Sequence, residues 1–99
     1  MPPRVKFAER IRFHRNRANH FFGIARMRHR RAAALARQAL HAQRNGRPVQ
    51  ARKLMRSALQ VKAAAGRAGL RSQNHRARIA ALQQARRQAA QHRRQAQGH

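Results

Sequence analysis

Cysteine, tryptophan and tyrosine are missing from this chain, and its acidic residues come down to one, Glu9. Without cysteine there can be no disulfide and no thiolate metal site, and the redox compartment is left undetermined. One carboxylate can neither form a paired-carboxylate site nor complete a serine triad with Ser57 or Ser72. Gly66 and Gly69 match neither nucleotide-binding fingerprint. These absences argue against an enzyme, a cofactor and a small-molecule substrate, and leave Glu9 a salt bridge to a nearby arginine of its own helix. No stretch approaches the roughly 20 apolar residues of a membrane span. The helices also lack the large Leu/Phe/Trp face of an interfacial anchor, so no membrane partner is expected. Hydrophobic residues make up 41%, but much of that is alanine and only four phenylalanines occur, which leaves room for one small core at most.

What is present is positive charge. Lys and Arg together number 25 among 99 residues, for a formal charge of +24. Repulsion on this scale opposes compaction, and the missing acids leave almost no internal salt bridges to relieve it, so the free chain is expected to be only partly folded. Its counter-ions must come from a partner. Phosphate suits best, because neutralising many phosphates releases condensed cations. Arginine greatly outnumbers lysine, and its planar fork fits bidentate phosphate contacts and stacking on bases.

The stretch Asn19 to Leu40 organises the rest. Phe21, Phe22 and Gly23 are followed by arginines interleaved with small apolar residues, without proline or further glycine, which predicts a helix. Arg26, Arg28, Arg30, Arg31 and Arg37 point in several directions around it. A helix charged on most of its circumference is not expected to be half-buried in a core of its own. It suits a surrounding polyanion.

In chain order, Met1 to Lys6 reads as an extended basic arm. The Arg-rich, acid-poor beginning has the composition of a mitochondrial transit peptide, but it reads as part of the working protein and no cleaved presequence is expected. Phe7 to Arg17 predicts a short helix with Phe7, Ala8, Ile11 and Arg15 at helical spacing, joined through Asn16 to Asn19, with Asn19 as N-cap of the main helix and Gly23 as a kink or point of close approach. The main helix, about 39 Å long, should stop near Arg44 at Asn45-Gly46-Arg47-Pro48. Pro48 then starts a second helix to Ala65, with a stripe of Leu54, Ala58, Val61 and Ala65, Met55 and Leu59 alongside, and Leu35, Ala39 and Ala42 as partners. The two form a hairpin, or stay splayed around RNA. Gly66 and Gly69 end the second helix, and Ser72 or Asn74 caps a third from His75 to Gln95. Gln83 to His99 is low-complexity and reads as an exposed helix fraying at its end. The chain thus divides into 1–18, 19–75 and 76–99.

None of the seven histidines pairs with another at i, i+3 or i+4, so no metal site is expected, and they read as phosphate donors or stacking partners. Phe21 and Phe22 have two readings. One ring stacks on an unpaired base, or both pack on Phe13 and the neighbouring helix.

Several of these segments, in order, resemble the bacterial-type large-subunit ribosomal protein L-twenty family. Met1-Pro2-Pro3-Arg4-Val5-Lys6 looks like its start with one extra proline, and Phe21-Phe22-Gly23 like its aromatic pair with glycine. Ala36-Arg37-Gln38-Ala39 matches the core of its long helix, and Arg44-Asn45 sits where the family has a basic-acidic turn. Lys62 to Ser72 is similar to its alanine-run-to-glycine segment. The resemblance covers roughly residues 1 to 75. It departs where Met55 to Val61 replace a tryptophan-bearing stretch, and after His75, where the family's compact C-terminal domain has no counterpart. Such divergence looks mitochondrial, with a bacterial or plastid ribosome as the alternative.

The resemblance implies a structural protein whose long helix threads between large-subunit rRNA helices beside neighbouring ribosomal proteins and helps the subunit assemble. The expectation is an all-α, extended chain that folds on rRNA. Its expected RNA contacts are Arg4, Lys6, Arg10, Arg12, Arg15, Arg17, Arg26, Arg28, Arg30, Arg31, Arg37, Arg44, Arg47, Arg52 and Arg56, with Phe21 and Phe22 as stacking residues. The competing class is a DNA-condensing chromatin or virion packaging protein, which charge and alanine content fit equally well.

Overall fold

Ala18, Ala25, Ala32 and Ala39 recur every seven residues, and after the turn Ala51, Ala58, Ala65 and Ser72 do the same. A strict seven-residue repeat keeps one narrow stripe facing a partner helix along its whole length. The structure, a computed structural model describing residues 6–98, uses both stripes. Two helices, α1 (Phe7–Arg44) and α2 (Pro48–Gln97), pack against each other as an antiparallel hairpin 81 Å in its longest dimension. The fold is all-α and extended, and the described residues contain no strand.

The turn between the helices follows from its residues. Gly46 takes φ 70°, a left-handed value that a side chain disfavours, and Pro48 opens α2 where its missing N–H costs nothing. The amides of Asn45, Gly46 and Arg47 donate to the carbonyls of His41, Gln43 and Ala42 and so satisfy the end of α1.

Both seven-residue series are buried, and they set the register. The Ser72 hydroxyl donates to the Ala18 carbonyl at 2.9 Å. Moving seven residues along each helix in opposite directions then places Ala25 opposite Ala65, Ala32 opposite Ala58 and Ala39 opposite Ala51. Of the ten buried hydrophobic residues among those described, nine are alanine and the other is Ile11, so the core is a methyl-lined seam with no large side chain fully enclosed. Small residues let the helices approach closely, and each buries little apolar surface.

Several expectations need correction. Phe7 to Arg17 is not a separate helix, and Asn19 is an exposed interior residue of α1 rather than an N-cap. Gly23 neither ends the helix nor meets another group, since nothing lies within 4 Å of the position its Cβ would take. Gly66 and Gly69 do not end the second helix. It runs on to Gln97 and absorbs the expected third helix, while Ser72 faces the seam instead of capping. The divisions at 18/19 and 75/76 therefore fall inside continuous helices.

The stripe of Leu54, Ala58, Val61 and Ala65 does face α1, whereas Met55 and Leu59 stay exposed. Leu35, Ala39 and Ala42 lie on the facing side of α1, half-buried or buried, as expected of the hairpin. α1 does bury a face of its own despite its arginines, because an alanine stripe is narrow enough to leave the rest of the circumference to charge. The register sets Phe7 near Leu82, so α2 continues well past the first described residues of α1 as an exposed, glutamine- and arginine-rich helix.

Candidate nucleic-acid interface

Once alanine has taken the seam, every cation must lie beside it or beyond it. Arg12, Arg15 and Arg26 of α1, with Arg52, Lys62 and Arg76 of α2, fall on one broad side of the hairpin. Arg10, Arg17 and Arg31, with Lys53, Arg67, Arg71 and Arg78, fall on the other. Arg30, Arg37, Arg44 and Arg56 occupy the outer edges. All of these are exposed, as is Arg47 in the turn. Arg28 sits at a seam position and reaches across it, its guanidinium donating to the Ala64 carbonyl at 3.2 Å. Arg4 lies outside the described residues.

Glu9 offers no relief. Its carboxylate lies 4.0 Å from the Lys6 ammonium, both ends well exposed, so the partner is the lysine one turn earlier and not an arginine. An exposed pair of this kind contributes little. The hairpin is therefore cationic on both sides and both edges.

The aromatic residues divide by side. Phe22 is 44% exposed and flanked by Arg26 and Arg76, whose guanidinium carbons lie 5.8 and 5.3 Å from its ring centroid. Phe21 is half-buried and turned toward α2, where the His75 ring lies parallel to it with centroids 5.9 Å apart and Arg71 approaches to 5.4 Å. Phe21 thus packs on the neighbouring helix, while Phe22 keeps an accessible ring. Phe13 is 52% exposed with Arg17 5.4 Å from its centroid.

Near the open end, His14 and His75 meet across the seam with their Nδ1 atoms 2.8 Å apart, one donating and the other accepting. Burial first, and then the neighbouring His75, Arg78 and Arg10, push the His14 pKa below its ordinary value, so the neutral ring is favoured there. Among the described residues no group of three metal-ligating side chains gathers. None of the helices described is long and apolar enough to cross a membrane.

Sequence reasoning singled out the cations of α1 but passed over Arg67, Arg71, Arg76 and Arg78 in the middle of α2. The signal was available: pairing the two alanine repeats brings these residues alongside Phe21 and Phe22. No protein-family model, no curated protein and no solved structure matches the chain.

Proposed function

We propose that this protein is a structural constituent of the large ribosomal subunit, where it lies against folded rRNA, neutralises phosphates where RNA helices crowd together, and helps the subunit assemble. The observation that carries the reading is the distribution of charge. A hairpin with arginine on both sides and both edges, and one acid in 99 residues, suits a partner that encloses it, which folded RNA does and a single flat surface does not. The choice of particle rests on the ordered resemblance in residues 1 to 75, and the divergence from that pattern favours a mitochondrial ribosome in the matrix. Neighbouring ribosomal proteins then cover what RNA leaves open.

Opposed cationic sides also suit a linker between two DNA duplexes, and this supports the second reading, a DNA-condensing protein. Ultraviolet crosslinking in intact cells followed by sequencing of the bound nucleic acid separates the two. Reads concentrated in a few segments of large-subunit rRNA are the expected result. Reads spread over genomic DNA would overturn the ribosomal assignment.

A further inference from the structure

The side of the hairpin that carries Arg17, Arg71 and Arg78 is also indented. Two adjoining hollows between α1 and α2 share Phe21, Arg71 and Asn74, the first continuing to Phe13 and His75 and the second to Ile24 and Arg28. Together they make an open groove with an aromatic and aliphatic floor and a rim of guanidinium groups.

We propose that this groove takes one unpaired nucleotide of the bound RNA, with its base against Phe13 and its phosphate among Arg17, Arg71 and Arg78. The inference rests on the proposed RNA-binding function and says what kind of RNA site this side selects.

Each group has a separate part. Phe21 is already engaged, since His75 stacks on it at 6° and Arg71 covers it, so it forms the wall. Phe13 has the His14 ring crossing it at 75° and the Arg17 guanidinium over its ring, and still keeps half of its surface in solvent. An aromatic ring left exposed beside arginine is a stacking platform for any base, because every base has a π-face. Asn74 brings to the same hollow an amide that can both donate and accept, as a Watson–Crick edge requires. The rim arginines have no acid to pair with, and a nucleotide supplies both partners at once: a base for the floor and a phosphate for the rim. A paired base cannot reach the floor, since it is stacked inside its helix; bulges and loops present bases that can.

The test compares a fully paired RNA duplex with the same duplex carrying one bulged adenosine, each titrated with the whole protein at fixed salt and read by fluorescence anisotropy. The bulged RNA is expected to bind about tenfold tighter, the scale of one base–aromatic stack. Phe13→Ala should bring it to the level of the paired duplex, and Phe13→Trp should restore the preference. Leu59→Ala, an exposed apolar residue away from the groove, should leave the preference in place. Circular dichroism of each variant establishes that the hairpin is intact. Equal affinity for the two RNAs, or a preference that survives Phe13→Ala, would overturn the inference while RNA binding itself stands. Failure to bind either RNA at about physiological salt would overturn the proposed function with it.

Discussion

The Ser72 hydroxyl donates to the backbone carbonyl of Ala18, 54 residues earlier in the chain, and is the one buried polar side chain among the described residues. It occupies a position that the repeat otherwise gives to alanine, so it marks the register without widening the seam. Ser72→Ala should change stability by no more than about 1 kcal/mol, because the missing hydrogen bond is offset by alanine's better helix propensity. Ala65, with no exposed surface, has no such latitude. Ala65→Leu should destabilise the hairpin by about 1–3 kcal/mol by forcing the helices apart. Urea unfolding followed by circular dichroism measures both, and an Ala65→Leu variant as stable as the parent would contradict the close-packed seam.

The glycines should respond in opposite directions. Gly66 and Gly69 lie inside α2, and a Cβ added at either would meet nothing within 4 Å, so each change to alanine should stabilise by roughly 0.5–1 kcal/mol. Gly46, at φ 70°, should cost about 1–2 kcal/mol on the same change. Thermal unfolding of the three single variants gives the signs directly.

Those same glycines explain how much of the fold was legible. Gly46 beside Pro48 and Asn45 is a turn signal that no tertiary packing overrides, and the hairpin bend falls there as read. Gly66, Gly69 and Asn19 carry similar local signals, but the alanine repeat runs through them, and packing along the length of α1 outweighs a local propensity of about 1 kcal/mol. Alanine hides such a seam, because it is common, weakly hydrophobic and equally at home on an exposed helix. The cationic residues of α1 were legible one by one. The groove near Phe13 was not, since it exists only once Arg71, Asn74 and Arg78 of α2 are brought alongside Phe13 and Phe21 of α1.

Burial of His14, and then its neighbour His75, makes stability depend on pH. Folding lowers the His14 pKa from 6.5, so the unfolded chain binds more protons than the hairpin as pH falls. The contribution is complete above about pH 6.5 and is lost as pH drops toward the folded value. The charges facing the pair from both helices, Arg10 and Arg78, act in the same direction. The urea midpoint should therefore be lower at pH 5.5 than at pH 7.5, and His14→Gln should reduce that difference. An unchanged difference in the variant would place the origin of the pH dependence elsewhere.

Arg26, Arg30 and Arg37 are exposed on one side and the outer edge of α1, and changing all three to alanine should leave helicity intact. The affinity for structured RNA should fall, and the slope of log K against log salt should become shallower by roughly 1 for each phosphate no longer neutralised. Occupancy of the variant in purified large subunits should fall in parallel. Unaltered slope and occupancy would count against the RNA-binding part proposed for these arginines.

The most direct measurement is sedimentation of the native protein from a gently lysed cell through a sucrose gradient at moderate salt, with mass spectrometry across the fractions. Migration with the large ribosomal subunit, and release from it by ribonuclease or by high salt, is the predicted result. Migration as free protein, or with genomic DNA in a form that deoxyribonuclease releases, would contradict the account.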